Sequence, residues 1–509
     1  MKFHQIRYAI ARPIFQLLAN IHSCRKKYRI TLGFLCSYAG IGEECLSENV
    51  KARLKKKVVA LAKAGGGYIL KNSLVFSVLD HSEELLKEAF NHGAIAVVCK
   101  KEIPGIPCIV VDNPMFVYAK MANYYRSSTN APVTAVVGSI GKTTTKMMLG
   151  SVYSQYTTTC CENGNFTNIT HVLQLCQHFA KKYKQIICEI SEANYGTIEA
   201  ASIALTPKVS VITAIDLSHM EEYGDAEEIK RQVCSIAKHM DEDGVVVVNK
   251  DEFDSFEYLY GKKNITISQK DNADYIVTNT TIDSKGILFE LKDNIKNQLH
   301  TIRLSNVWGK HNVGIAAQVF AAASYLNIPT DKIIKGLKKY QPQGIRQNIY
   351  KSSNGRIIYA DCYNAVAKSI ESAIQAASTI PLDNNGKKIA VIADVEEAGI
   401  ASEEMHKNIV DILNKSDFDT IIAYGPKLNK AIDEYGEPII KNIIRCNTFS
   451  DVMRSLKANN QKGDLILFKA SHSWHLDRCI KKMWPISYYS KLLKEKLPYL
   501  LWRISIEFH

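Results

Sequence analysis

The densest chemistry in the chain lies in one run of six residues, Gly138-Ser139-Ile140-Gly141-Lys142-Thr143. Glycines let backbone amides approach an anion closely, and a helix opening at Lys142 would add its positive end. A lysine ammonium reaches the outer phosphates of a nucleotide, and a threonine hydroxyl can hold magnesium. Gly138, Ser139, Gly141, Lys142, Thr143 and Thr144 are therefore candidate nucleotide ligands. The loop is a shortened variant, because Val136 stands where the common phosphate loop has its first glycine. An ordinary strand-to-helix turn with an incidental lysine is the plain alternative. The order strand, glycines, Lys-Thr, helix favours phosphate binding. Glu189 closes the apolar run "QIICEI" at its carboxyl end, where ligands gather in open α/β sheets. His219 follows the next apolar run, in "AIDLSHMEEYGD". Both are candidate metal ligands beside Thr143, although a lone histidine after a strand is more often a loop or capping residue.

Such residues need a scaffold. The runs "TAVVG", "QIICEI", "KVSVITAI" and "GVVVVN" alternate with helical stretches between 133 and about 250, which predicts a largely parallel sheet with right-handed crossovers. A second α/β rhythm follows Pro342 and Gly344, in "RIIYAD", "KKIAVIAD", "DTIIAYG" and "GDLILFKA". Ahead of both, "LVFSVL", "AIAVVC" and "CIVV" read as short strands, with a helix ending at Gly93 between the first two. "RSSTNAP", residues 126–132, reads as a linker. The chain of 509 residues suits roughly three domains. The expected division is 1–130, 131–342 and 343–485, with an extension over 486–509.

Composition narrows the function. Apolar content of 46% and charged content of 23% describe a soluble globular chain, and no run of about 18 apolar residues predicts a membrane span. Residues 5–24 are interrupted by Arg12 and Pro13 and lack the pattern of a secretory leader. Thirteen cysteines without framework spacing suit reduced thiols in a cytoplasm. The net charge of +13 sits in three places: residues 1–34, a helix-like segment over 51–63, and residues 478–509. The rest is net acidic, so the body is not a nucleic-acid binder. Both ends mix aromatics and leucines with basic residues, which suits weak peripheral contact with an anionic inner membrane face; packing on the body is the alternative.

The order of these segments resembles the Mur ligase family, and within it the MurF subfamily. "GSIGKTTTK" resembles the family's ATP loop, and "GNFTN", with Asn165 and Asn168, its GNxNN segment. "CEISEANYGTI" and "SHMEEYGD" resemble its Glu and His segments, and "VVVNKD" its Asn segment through Asn249. "GKHNV" carries His311 and Asn312, "GIR" ends on Arg346, and "DCYNA" resembles D-x-YNANP through Asp361, Tyr363 and Asn364. "ADVEEAGIASEEMH" and "FKASHSWHLD", with Lys469 and Ser471, complete a resemblance over about residues 131–485.

The resemblance implies a three-domain α/β architecture with a central P-loop parallel-sheet ATPase domain and a C-terminal Rossmann-like domain. It implies ATP and Mg²⁺, and a reaction in which a carboxylate is activated as an acyl phosphate and attacked by an amine, in cell-wall peptide synthesis. By the same resemblance Thr143, Glu189 and His219 hold metal, and Lys142, His219 and Lys469 are catalytic. Asn249, Asn312, Arg346, Asp361 and Tyr363 grip the nucleotide, and Asn165, Asn168, Asn364, Lys469 and Ser471 face the substrates. The partners implied are a small-molecule carboxylate acceptor, of UDP-sugar peptide type, and an amino acid or dipeptide.

The chain also departs from the family. An ungapped match puts Val233 where the family carries a lysine, usually carbamylated, and Lys230 lies one helical turn away. Restoring the charge by Val233→Lys with bicarbonate is expected to keep or raise activity. Ile315 replaces an Asn, "YNAVA" lacks a proline, and no S-x-D-S-R segment stands out before residue 130. Two alternatives stay open: a Mur-like ligase with a glycan, lipid-linked or secondary-metabolite acceptor, and a nucleotide-binding scaffold without turnover.

Overall fold

The computed structural model describes residues 30–485, except 66–68, 80, 162–167, 178, 180–181, 193, 216–224, 271, 353–354, 366, 383–385, 397–401 and 437–440. Three sheets follow one another along the chain. The first has strands β1 (Leu61–Lys63), β2 (Leu74–Phe76), β3 (Ala96–Cys99) and β4 (Cys108–Val110), adjacent in that order and parallel. The helix Glu83–Asn91 starts on Ser82, whose hydroxyl accepts from the Leu85 amide. Gly93 follows it at φ +102°, so the predicted stop holds. Residues 51–63 are not a helix, contrary to expectation. The helix Glu48–Lys51 ends there, a turn follows, and Leu61–Lys63 is strand β1. Leu61 and Ala62 are buried, and burial of that apolar run outweighs the helical look of the lysines.

The second sheet contains β5 (Val133–Val137), β6 (Thr159–Cys161), β7 (Gln185–Glu189), β8 (Val209–Ile212), β9 (Val245–Asn249), β10 (Lys263–Ser268), β11 (Tyr275–Asp283), β12 (Gly286–Asp293) and β13 (Gln298–Ser305). Its spatial order is β13-β12-β11-β10-β9-β8-β5-β7-β6. Strands β6 to β11 pair parallel, and β11-β12-β13 form an antiparallel extension. Strands β5, β7 and β8 are buried at every residue, because helices cover both faces of the parallel part. The predicted linker 126–132 is fastened rather than loose. Arg126 is buried and donates from Nε to the Leu205 carbonyl at 3.0 Å and from Nη1 to Thr129 at 3.0 Å.

Helix Lys142–Tyr153 leaves the carboxyl end of β5 and packs against helix Thr330–Lys339. The approach is close enough that a Cβ on Gly336 would lie 2.4 Å from the Val152 Cα. Ser151 Oγ donates to the Gly336 carbonyl at 2.8 Å across the same contact.

The third sheet holds β14 (Asn348–Lys351), β15 (Ile357–Asp361), β16 (Lys388–Ala393), β17 (Thr420–Tyr424), β18 (Asn442–Cys446) and β19 (Leu465–Lys469). Their order is β14-β15-β19-β16-β17-β18, parallel except for β14. The expected α/β class with a parallel phosphate-loop sheet and a Rossmann-like C-terminal sheet is what the chain adopts. Among the described residues no helix is long and apolar enough to cross a membrane. The basic ends invoked for membrane contact, 1–29 and 486–509, lie outside the described residues.

Candidate active site

Parallel strands of the second and third sheets end at one cleft of about 330 Å³. From the second sheet it is lined by Ser139, Gly141, Lys142, Thr143, Thr144, Glu189, Glu192 and Asn249. His311 stands on the helix that follows β13, and Arg346, Gln347, Asp361, Tyr363, Asn364 and Lys469 come from the third unit.

The loop after β5 has the shape expected of an anion seat. Gly138 adopts φ +119°, and a Cβ there would fall 2.3 Å from Thr213 Oγ1, so only glycine fits. Gly141, at φ +91°, is the N-cap of helix Lys142–Tyr153 and offers no side chain to the first amides. Those amides therefore point at the cleft with the helix dipole behind them. The Ser139 and Ile140 amides donate to the Ala214 carbonyl at 2.9 and 3.2 Å. Ser139 thus lines the cleft while its backbone pins the loop to the end of β8, and the anion seat begins at Gly141.

Ion pairs organise the floor. Lys142 Nζ donates to Glu192 Oε2 at 2.7 Å, to the Ser139 carbonyl at 3.3 Å, and to the Gly138 carbonyl. Thr143 Oγ1 donates to Glu189 Oε1 at 2.8 Å, and Lys146 Nζ lies 2.9 Å from Glu189 Oε2. Lys146 is fully buried. Sequence reasoning missed Glu192 and Lys146. The signal existed: Lys146 is four residues after Lys142, on the same helix face, and Glu192 lies three residues beyond a predicted strand-end carboxylate.

Thr143 and Glu189 are hard oxygen donors from two chain segments placed side by side, which fits Mg²⁺. Among the described residues no three His, Cys, Asp or Glu side chains converge as a metal site by themselves. An ion here would complete its shell with phosphate oxygens and water, as magnesium commonly does.

The far wall is built on β15 and β19. Lys469 Nζ donates to Asp361 Oδ2 at 2.8 Å and to the Asn364 carbonyl at 2.7 Å. Arg346 stacks its guanidinium 3.5 Å above the centre of the Tyr363 ring, a cation–π contact. Burial lowers the Arg346 pKa, opposed by the nearby Glu189, Tyr363 and Asp361, and the guanidinium remains charged. Burial also lowers the His311 pKa, opposed by its hydrogen bond to Gln347, so the imidazole is neutral at pH 7.

Not every expected residue faces this cleft. Asn312 is buried beneath it, where Nδ2 donates to the Trp308 and Gly309 carbonyls and to Gln347 Oε1. That side chain positions Gln347, which sequence reasoning also missed. Asn168 caps the helix Ile169–Cys176, accepting from the Thr170 amide at 3.0 Å. Ser471 donates to Glu396 Oε2 at 3.1 Å and does not line the cleft. Asn165 and His219 lie outside the described residues.

Val233 is fully buried, packed in the apolar core on helix Ala226–Cys234, and does not line the cleft. Lys230, its neighbour one turn earlier, pairs with Asp254 at 2.9 Å. The expected tolerance of Val233→Lys is therefore corrected. An ammonium there loses its hydration without gaining a partner, so the substitution is expected to destabilise the protein by about 2 kcal/mol or more. Thermal melting with bicarbonate present checks this, and an unchanged melting temperature would contradict it.

Residues 136–323 match the model of the Mur ligase middle domain, and residues 345–472 that of the Mur ligase, glutamate ligase domain. A UDP-N-acetylmuramoyl-tripeptide–D-alanyl-D-alanine ligase of Bacillus subtilis is 29% identical over 404 residues, spanning 78% of this chain and 86% of its own. The crystal structure of MurF from Acinetobacter baumannii superposes with a TM-score of 0.74 at 21% identity, covering 89% of this chain and 98% of that one. MurF from Thermotoga maritima, solved with ADP, gives 0.66 at 22% identity over 83% and 96% of the two chains. These two structures share the fold. With two matched domains that together span more than half its length and meet at one phosphate-loop cleft, this chain belongs to the Mur ligase family.

Proposed function

We propose that the chain joins the carboxylate of a UDP-muramoyl tripeptide to the amine of D-alanyl-D-alanine, with ATP converted to ADP and phosphate. The observation that carries this is the convergence of Lys142, Thr143 and Glu189 from one sheet with Arg346, Asp361 and Lys469 from another in a single cleft. Such a reaction asks the protein for alignment and charge neutralisation more than for covalent help. The acceptor carboxylate attacks the γ-phosphorus and ADP leaves. The amine then attacks the acyl carbon, phosphate leaves, and one proton is lost from nitrogen.

Lys142 and the helix amides from Gly141 onward neutralise the phosphates. Arg346, held flat by Tyr363, adds a fixed positive charge from the facing unit. Thr143 and Glu189 would hold Mg²⁺, which when bound offsets phosphate charge. Lys469 orients Asp361 and the Asn364 carbonyl. By family resemblance Asn249 and Asp361 serve the nucleotide, and residues 1–130, 131–342 and 343–485 act as acceptor-binding, ATP-binding and ligase units.

The test is phosphate release in the presence of ATP and Mg²⁺. Release is expected only when UDP-muramoyl tripeptide and D-alanyl-D-alanine are both present, with the joined pentapeptide as product. The missing S-x-D-S-R segment favours a second reading, in which another carboxylate replaces the muramoyl peptide; release with that acceptor alone would establish it. Absence of release with every acceptor would leave a nucleotide-binding scaffold.

The basic ends support a finer reading, peripheral attachment to an anionic membrane face. Pelleting with phosphatidylserine vesicles is expected at low salt and is expected to fade as salt rises, because exposed charges are screened over about 10 Å at 0.1 M. Failure to pellet at low salt would remove the membrane from the account.

A further inference from the structure

Glu192 lines the cleft and has no part in the reaction above. Its side chain is only 2% exposed, and its Oε2 pairs with Lys142. The Lys142 ammonium is thus held by its own loop, between Glu192 and the carbonyls of Gly138 and Ser139. To neutralise a phosphate it must loosen those bonds. Giving up neutral carbonyls is tolerable. Parting the ion pair with Glu192 costs more, because it separates opposite charges in a buried place and sets a carboxylate beside incoming phosphates of like charge. Glu189 meets the same problem differently. It keeps Lys146, buried one turn deeper, while Thr143 turns to its ligand. The ion pair of Glu192 is with the phosphate-loop lysine itself.

We infer that Glu192 is a second carboxylate of the cation seat, neutralising Lys142 in the empty enzyme and exchanging it for the divalent ion that arrives with the nucleotide. The inference rests on reading the cleft as a nucleotide site. It assigns to one residue two charge states of its surroundings, with the buried negative charge paired in each.

The test uses the full-length protein, Glu192→Gln and Glu192→Asp, with Mn²⁺ and ADP as probes. Bound Mn²⁺ is read by electron paramagnetic resonance, and ADP binding by calorimetry with Mn²⁺ or with EDTA. Glu192→Gln is expected to weaken Mn²⁺ binding to the ADP complex by roughly tenfold or more. ADP binding in EDTA is expected to stay level or tighten, because the neutral amide frees Lys142. Glu192→Asp is expected to recover part of the Mn²⁺ affinity. A merely structural role would weaken both kinds of binding and lower the melting temperature, and that result would overturn the inference. Unchanged Mn²⁺ affinity in a folded Glu192→Gln would overturn it equally. If the wild-type protein bound ADP in neither condition, the nucleotide reading would fall and this inference with it. Normal wild-type binding with an indifferent variant removes Glu192 alone.

Discussion

Lys142→Ala is expected to lower turnover by at least about two orders of magnitude, the loss typical when a preorganised charge is taken from a transition state. It is also expected to lower stability, which sequence alone does not suggest. Lys142 is an ion-pair partner of buried Glu192, so truncation removes a counter-charge from the cleft floor. Breaking such a pair costs about 3 kcal/mol, nearer the lower end because Lys142 itself remains partly open to water. The two effects separate in the double variant Lys142→Met/Glu192→Gln, which should recover melting temperature and not turnover. Wild-type-like turnover in purified, folded Lys142→Ala would remove the phosphate loop from the mechanism.

Lys469→Ala is expected to be the most destabilising single change on the opposite wall. The ammonium is almost wholly buried and holds both Asp361 and the Asn364 carbonyl. Its loss leaves Asp361 charged and enclosed, at a cost of about 3–5 kcal/mol. Turnover should fall as well, because the turn from Asp361 to Asn364 loses its anchor. A double-mutant cycle with Asp361→Asn measures the coupling by denaturant unfolding. The variant Lys469→Met/Asp361→Asn should be more stable than Lys469→Met alone. Simple additivity would mean that the buried pair carries no coupling.

The sequence made the buried strands plain. "GVVVVN" and "QIICEI" are unbroken apolar runs because helices cover both faces of the parallel sheet, and β9 and β7 lie where those runs stand. It hid the antiparallel extension. Strand β11 is buried only at Tyr275 and Val277 and then runs half-buried or exposed through Thr278, Asn279, Thr280 and Thr281, since much of that ribbon meets water, and such a pattern reads as loop. The short strand β14 gave still less signal, with four residues between turns.

Within the site, Lys142, Thr143 and Glu189 were legible because phosphate-loop chemistry fixes residue types at fixed spacing. Glu192 and Lys146 left only a spacing signal and Gln347 none, because their meaning depends on which side chains the fold brings opposite them. The effect of a lysine at Val233 was hidden for a related reason. An ungapped match gives position along the chain, whereas the direction of the side chain decides whether a charge there is wetted or entombed.

The clasp between Gly336 and Val152 has a mechanical meaning. Two helices that close leave no slack, so the last helix of the nucleotide unit and the helix bearing the phosphate seat turn as one lever. The chain leaves that lever at Tyr340 and passes through Pro342 and Gly344, the latter at φ +59°, before Arg346. Any swing of the C-terminal unit must therefore find its fulcrum between 341 and 347. Arg346 sits at that fulcrum, and the Gln347 amide donates to Asp361 Oδ1 at 3.3 Å while the Cys362 amide donates to the Ile345 carbonyl at 2.9 Å, so Arg346 and the end of β15 both stay near the pivot and sweep a short arc in any such swing.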